Sequence, residues 1–405
     1  MYLSRFGVKN YKCLGDIDVP LTPIHVLIGE NDAGKTSLLE AMEAFYASSA
    51  AKLRHVFRGP WEGRELVRHG ANLSSLELHG EWVPHEGEEP RRGYESLGYG
   101  FAADFPPADS DCKCRGERIE VGGRTRHLGS DGSIETVVRH FRRHAQAPDN
   151  EAADIEAIRA VLRPAHLYSL NATAMAAPSA SQPDQRKFRL DWDGFGLATL
   201  LDDILGYEPE VFISLREEFC KYFPQFKNVR LEPTKGLQRT YAPMGMGEMG
   251  MGTSGEGAGK GIVFETVDGR PVRAHHASHG AVLFLGFLAL AHLPQPPALL
   301  LLEEPENGIY PKRLEQVIRL LQSLVNGEDG VRFPQIITAT HSPYVLSSFK
   351  PEEVTFLSRP PDDPDGPVRA RPLRGAPNIK ERLADGFYLG ELWYNLSEED
   401  LFGEP

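Results

Sequence analysis

The chain has 405 residues, 41% of them hydrophobic and 25% charged, with four cysteines and a formal net charge of −13. That length and apolar content suffice for a large buried core in one big lobe or two domains, and four scattered cysteines exclude a disulfide-stapled scaffold. The acidic balance opposes adhesion to nucleic acid over the whole surface, the longest apolar run, Gly280 to Ala291, is too short to cross a bilayer, and no charged-then-apolar leader precedes the first strand, so the expected location is the cytoplasm with no membrane partner.

The first informative element is the apolar run Ile24-His25-Val26-Leu27-Ile28, which predicts a buried strand. It feeds Gly29-Glu30-Asn31-Asp32-Ala33-Gly34-Lys35-Thr36, a complete G-x-x-x-x-G-K-T phosphate-binding loop, and Ser37 to Met42 has the propensity of a helix leaving it. Gly29 and Gly34 let the backbone curl so that the amides of Asn31, Asp32 and Ala33 join those of the helix start as a concave anion site. Lys35 reaches the β- and γ-phosphates, and the Thr36 hydroxyl suits Mg²⁺. The chain therefore reads as a binder of nucleoside triphosphate.

A long insert follows. Lys52 to His69 and Arg115 to Ala145 each carry a local net charge of +3, the second through Arg115, Arg118, Arg124, Arg126, Arg139, Arg142 and Arg143. Two readings stand: a surface for nucleic-acid phosphates, or a solvated face held in local ion pairs. Leu76 to Trp82 and Ile119 to Thr125 alternate as strands do, the second around a Gly-Gly turn. Cys112 and Cys114 form only a C-x-C pair, a weak metal signal. Ala152 to Leu162 and Leu197 to Phe223 have helical spacing, Ala172 to Gln185 reads as a loop, and Asp191-Trp192-Asp193-Gly194 as a turn before a helix. Sustained heptads are absent, which argues against long coiled-coil arms. Residues 244–261, rich in Gly and Met, read as low-complexity and mobile, and Gly259-Lys260 lacks the spacing of a second phosphate loop.

Ala277-Ser278-His279-Gly280 then opens an apolar segment, Ala281 to Ala291, that predicts a buried helix. Ser278 is either a plain N-cap or part of a second anion site offered by a partner subunit. Ala298 to Leu302 is a continuous apolar strand ending in Glu303-Glu304-Pro305-Glu306. In a phosphoryl-transfer site Glu303 holds Mg²⁺ through its water shell and Glu304 orients or deprotonates the attacking water. A third strand, Gln335 to Thr340, delivers His341 to the same carboxyl edge, within reach of a γ-phosphate. Pro360 to Gly366 reads as a solvated turn whose Asp362, Asp363 and Asp365 do not make a two-metal site. The acidic tail, with Trp393, Tyr394 and Phe402, is either a docking segment or a frayed end.

Four elements in this order resemble the ABC-type ATPase heads of the SMC, RecF and OLD groups. Phe6 to Leu14 strengthens the likeness, since such heads open with a strand, a basic-aromatic turn and a second strand. Glu303 to Gly308 and Leu389-Gly390-Glu391-Leu392-Trp393 are similar to OLD-like AAA-labelled bacterial ATPases, some of which act in phage defence. The resemblance implies an α/β P-loop NTPase fold: an ABC-type head with a mixed sheet, an antiparallel β arm and an inserted, mainly helical lobe. It divides the chain into an ATPase core (1–50 and 262–375), a β-rich arm (51–150), a helical lobe with the Gly/Met loop (151–261) and an acidic tail (376–405). It also implies a homodimer or higher homo-oligomer in which Gly29 to Ser37, Glu303, Glu304 and His341 of one subunit face Ser278, His279 and Gly280 of the other across ATP and Mg²⁺. Departures are visible: Ala-Ser-His-Gly stands where Leu-Ser-Gly-Gly is usual, Glu303 where Asp is usual, Tyr310 where relatives often carry His, and no glutamine-bearing loop is assignable. The stretch after His341 leaves too little room for a TOPRIM nuclease domain, so no intrinsic nuclease is expected. The expected function is an ATP-hydrolysing dimeric switch controlling an effector, a nuclease or toxin encoded nearby, in anti-phage defence. The alternatives are a RecF-like DNA-repair ATPase, binding DNA through the Arg115 to Arg143 segment, and a low-turnover ATP-binding scaffold.

Overall fold

The computed structural model describes residues 1–57, 63–68, 75–89, 94–105, 112–129, 133–140, 149–181, 188, 190–241, 251–327, 335–360, 363, 366–395 and 398–402. Its frame is a six-stranded sheet in the order β16-β15-β3-β14-β13-β8, comprising β3 (Ile24–Ile28), β8 (Ala165–Tyr168), β13 (Leu299–Glu303), β14 (Ile336–Thr340), β15 (Val354–Ser358) and β16 (Arg369–Pro372). All neighbours in it are parallel except the edge pair β15 and β16. The apolar runs explain this: β3, β14 and β15 are buried at every position, which a parallel strand covered on both faces requires. Because β3, β13 and β14 run the same way, the phosphate loop, Glu303-Glu304 and His341 all leave the sheet at one edge.

A second, antiparallel sheet covers one face in the order β2-β1-β4-β5-β6-β7: β1 (Tyr2–Tyr11), β2 (Leu14–Pro20), β4 (Ser75–Val83), β5 (Leu97–Asp104), β6 (Lys113–Val121) and β7 (Arg124–Leu128). Between the sheets lies α1 (Lys35–Ala47), whose Phe45 stacks on Trp82 and Phe101 with ring centroids 5.8 and 6.2 Å apart. Gly80 makes room for that ring, since a Cβ there would fall 2.9 Å from Phe45. The short helices α2 (Leu53–Val56) and α3 (Val137–His140), with α4 (Asp149–Val161), close this side. The expected boundary at residue 51 does not separate an arm from the core, because β4 pairs directly with β1.

The opposite face is helical: α5 (Ala172–Ala176), α6 (Leu197–Tyr207), α7 (Pro209–Tyr222), α8 (His279–Ala291), α9 (Pro311–Asn326) and α10 (Pro343–Leu346). From Ala281 to Ala291 every residue of α8 is buried, as expected of a helix apolar all round. Above it, β10 (Phe226–Tyr241) and β11 (Met251–Thr266) form a long hairpin flanked by β9 (Ser179–Ala180) and β12 (Pro271–Arg273). Two expectations change here. Ala172 to Gln185 contains α5 and β9, and Met251 to Gly261 is strand paired along its length, while 244–250 lie outside the described residues. Low side-chain complexity hides a packing requirement: Cβ atoms at Gly236 and Gly259 would lie 2.3 and 2.2 Å from Ser179. Likewise β8 completes the core sheet from within the segment read as helical lobe. The carboxyl end forms α11 (Pro377–Ala384), α12 (Leu389–Asn395) and α13 (Glu398–Phe402) rather than a frayed tail, since Trp393 and Phe402 pack on Phe356 at 5.2 and 5.9 Å. No helix among the described residues is long and apolar enough to cross a membrane.

His25, inside β3, is buried between the Thr22 and Thr355 hydroxyls, each 3.0 Å from a ring nitrogen, and burial together with nearby Arg374 lowers its pKa to about 3. A histidine depressed in the fold favours the folded state above the unfolded value near 6.5 and withdraws that stability as pH falls towards the folded value. We expect stability to drop by about 2 kcal/mol between pH 6.5 and pH 5 from this group. In His25→Gln, which has no proton to gain, melting temperature should be flatter across that window.

Candidate nucleotide site

At the end of β3 the chain turns through Gly29, where a Cβ would lie 2.3 Å from the Leu357 carbonyl oxygen, and through Asp32 and Gly34, both left-handed at φ 64° and 87°. Only a compact loop fits, and it delivers Lys35 as the first residue of α1. The Lys35 ammonium donates to the carbonyls of Gly29 and Glu30, both at 2.8 Å, closing the loop on itself. Burial lowers the Lys35 pKa, while Glu304, Glu303, Glu306 and Asp32 pull it back up. Asn31, Asp32 and Thr36 are exposed, Ala33 is buried, and Ser37 accepts a hydrogen bond from the Cys13 thiol at 3.6 Å.

The Thr36 hydroxyl donates to the Glu303 carboxylate, joining residues 267 positions apart. Magnesium takes few protein ligands and completes its shell from phosphate and water. Among the described residues no larger group of His, Cys, Asp and Glu converges as a metal cage, so the Thr36 and Glu303 oxygens are the donors that fit this ion. Beyond Glu303 the backbone turns sharply at Glu304, φ 46°, held by its amide on the Ala339 carbonyl at 2.8 Å. That turn brings the Glu304 carboxylate 3.2 Å from His341 Nδ1.

Sequence reasoning passed over Glu306. It accepts from the Thr340 hydroxyl at 2.5 Å and lies 3.9 Å from His341, and burial raises its pKa. The Thr340 oxygen also accepts the Ser342 amide at 2.9 Å, so Glu306 and Thr340 together set where His341 projects. The third acid of Glu-Glu-Pro-Glu was the available signal.

Ser278 is the N-cap of α8, yet its side chain makes no capping hydrogen bond, and both Ser278 and His279 are exposed. No hydrogen bond or ion pair among the described residues joins Ser278, His279 or Gly280 to the phosphate loop within one chain. The arginine segment divides differently from a free cationic surface. Arg115 pairs with Glu77 at 2.9 Å, Arg118 with Glu120 at 3.2 Å and Arg126 with Asp154 at 3.1 Å; Arg124 also reaches Asp154 and Arg139 reaches Glu135. Arg142 and Arg143 lie outside the described residues.

The family described as "AAA domain, putative AbiEii toxin, Type IV TA system" matches residues 125–347, more than half of the chain, and an AAA ATPase domain family matches residues 1–82. A 58-residue stretch is 45% identical to the OLD nuclease of Thermus scotoductus, covering 14% of this chain and 11% of that protein. The fold is similar to an SMC head crystallised with the C-terminal winged-helix domain of ScpA: TM-score 0.51 at 16% identity, covering 91% of this chain and 97% of that one. The SMC head domain from Thermotoga maritima aligns over 92% and 99% of the two chains at 12% identity, but its TM-score of 0.44 adds nothing to the argument.

Proposed function

The chain belongs to the AAA domain family that matches residues 125–347, as an ATPase of the SMC and OLD kind, and from that premise we propose that it works as an ATP-driven dimeric switch controlling a partner effector. One observation carries this reading: Glu303, Glu304 and His341 gather beside the phosphate loop, while the exposed N-terminus of α8, whose Ser278 side chain makes no capping hydrogen bond, has no hydrogen bond or ion pair to that loop among the described residues of its own chain. A second copy supplies that counterpart.

In this reading Lys35 and the loop amides bind the β- and γ-phosphates and orient them along the α1 axis. Thr36 and Glu303 would hold Mg²⁺, which when bound neutralises phosphate charge. Glu304 accepts the proton of the attacking water, and His341, fixed beside it by Glu306 and Thr340, orients the Glu304 carboxylate. The partner subunit's α8 N-terminus then directs amides and a hydroxyl at the γ-phosphate, so chemistry depends on the closed pair. An effector as the output is supported by the toxin–antitoxin system named for the family and by the ScpA domain bound to the SMC head. A setting in anti-phage defence rests on the OLD likeness. The DNA-repair alternative is weaker, because the described arginines of the basic segment already face carboxylates.

The test is Ser278→Arg, which puts a bulky cation at the seam and leaves the phosphate loop untouched. We expect ATP-dependent dimers, followed by light scattering on a sizing column, to disappear. ATPase activity should fall at least about 100-fold, as when a transition-state donor is lost, while nucleotide binding persists. A Ser278→Arg protein hydrolysing ATP at the normal rate would end the proposal.

A further inference from the structure

The phosphate loop is held from inside by the Lys35 bonds to Gly29 and Glu30 and by the Ala33 amide on the Glu30 carbonyl at 3.2 Å, and it also takes support from outside. Asp32 adopts a left-handed φ of 64°, a conformation open to aspartate but more costly than for glycine, so contacts that hold it there contribute to the shape of the loop. The outside support comes from the far end of the sequence. Leaving β15, which pairs with β3 in parallel register up to Phe356 and Ile28, the chain touches the loop three times. The Leu357 carbonyl fills the space a Cβ would need at Gly29, at 2.3 Å. Arg359 Nε donates to the Asp32 carbonyl at 2.8 Å. Val368, on the way back into β16, packs over Gly34, where a Cβ would lie 3.1 Å from its methyl. Val368 is itself fixed by its amide on the Cys13 carbonyl at 3.3 Å.

We infer that this connection is a brace for the phosphate loop and that Arg359 is its positioning residue, holding the Asp32 carbonyl outward so that the neighbouring amides stay aimed at phosphate. The two glycine contacts are steric and keep other conformations out. Of the three contacts only Arg359 is directional: its hydrogen bond to the Asp32 carbonyl acts with the Ala33 amide on the Glu30 carbonyl, 3.2 Å away, to fix which way that peptide faces, and turning the peptide over would aim its carbonyl at the anion instead. The inference rests on the phosphate loop being the nucleotide site. It adds that loop pre-organisation, and with it ATP affinity, is set from a segment with no motif of its own.

The experiment uses the full chain and Mg²⁺-ATP, with equilibrium nucleotide binding, kcat, KM and nucleotide-free melting temperature read together. For Arg359→Ala we expect Kd and KM for ATP to rise about tenfold, as for one charged hydrogen bond, with kcat at saturation and nucleotide-free melting close to the parent. Arg359→Lys, a donor without the fork, should recover part of the affinity. A second test asks for the mechanism: in an Asp32→Gly background, where the left-handed conformation carries no strain, adding Arg359→Ala should raise Kd threefold or less. If the parent chain binds no ATP, the nucleotide-site reading itself falls. If the parent binds and Arg359→Ala binds equally well, the brace is wrong while that reading stands. An undiminished tenfold effect in the Asp32→Gly background would also overturn it, by showing that Arg359 acts elsewhere than on the loop.

Discussion

Lys35→Ala is expected to abolish ATP hydrolysis, with kcat/KM reduced by about 10³ or more, and to remove the thermal stabilisation that Mg²⁺-ATP gives the parent protein. The ammonium sits at the start of α1 on the carbonyls of Gly29 and Glu30, and three glutamates and Asp32 act on it. Binding a triphosphate exchanges those carbonyls for phosphate oxygens, a far better partner for a cation. Loss of a charged hydrogen bond is worth about 1.5–3 kcal/mol in the ground state, and more as charge develops on the transferring phosphoryl group. Ligand at 100 times its Kd stabilises a fold by about 2.7 kcal/mol, so the loss is readable as an absent melting shift. Without nucleotide the variant should melt slightly earlier than the parent, because the Gly29 and Glu30 carbonyls lose the ammonium that joins them. If Lys35→Ala keeps both the melting shift and turnover, residues 29–36 are not the nucleotide site.

The candidate site was legible because its physics is local. A phosphate loop needs Gly, Lys and Thr at fixed spacing, and a fully buried parallel strand reads as an uninterrupted apolar run wherever it occurs, so β3, β13 and β14 announced themselves and put Lys35, Glu303 and His341 together. What stayed hidden depends on contacts between distant segments. Met251 to Gly261 has no apolar–polar alternation, yet its glycines are what let β9 lie against the hairpin. The last helices read either as a docking segment or as a frayed acidic end, since the value of Trp393 and Phe402 lies in Phe356, itself on a strand read only from the structure. Arg359 carries no motif, and its partner is a backbone carbonyl 327 residues away. Glu306 could have been found, being spaced as a third acid after a proline turn, but its link to His341 passes through the Thr340 hydroxyl on another strand.

Glu304→Gln separates binding from chemistry and should reduce kcat by about 10²–10³ while leaving ATP affinity unchanged or higher. The substitution keeps the side chain's length and shape, and a glutamine is no worse than a glutamate at φ 46°, so the turn held on Ala339 should survive. What it removes is the charge that accepts a proton, 3.2 Å from His341. It also removes the acid with the largest electrostatic effect on Lys35, which lessens repulsion of an incoming triphosphate. If the closed pair forms on ATP and opens on hydrolysis, the variant should accumulate as dimer in Mg²⁺-ATP and return to monomer with ADP. Single-turnover hydrolysis and light scattering on the same samples report both halves. Should Glu304→Gln turn over within threefold of the parent, the proton acceptor must be sought in Glu306, the half-buried carboxylate whose raised pKa already favours holding a proton; Glu306→Gln would then carry the loss instead.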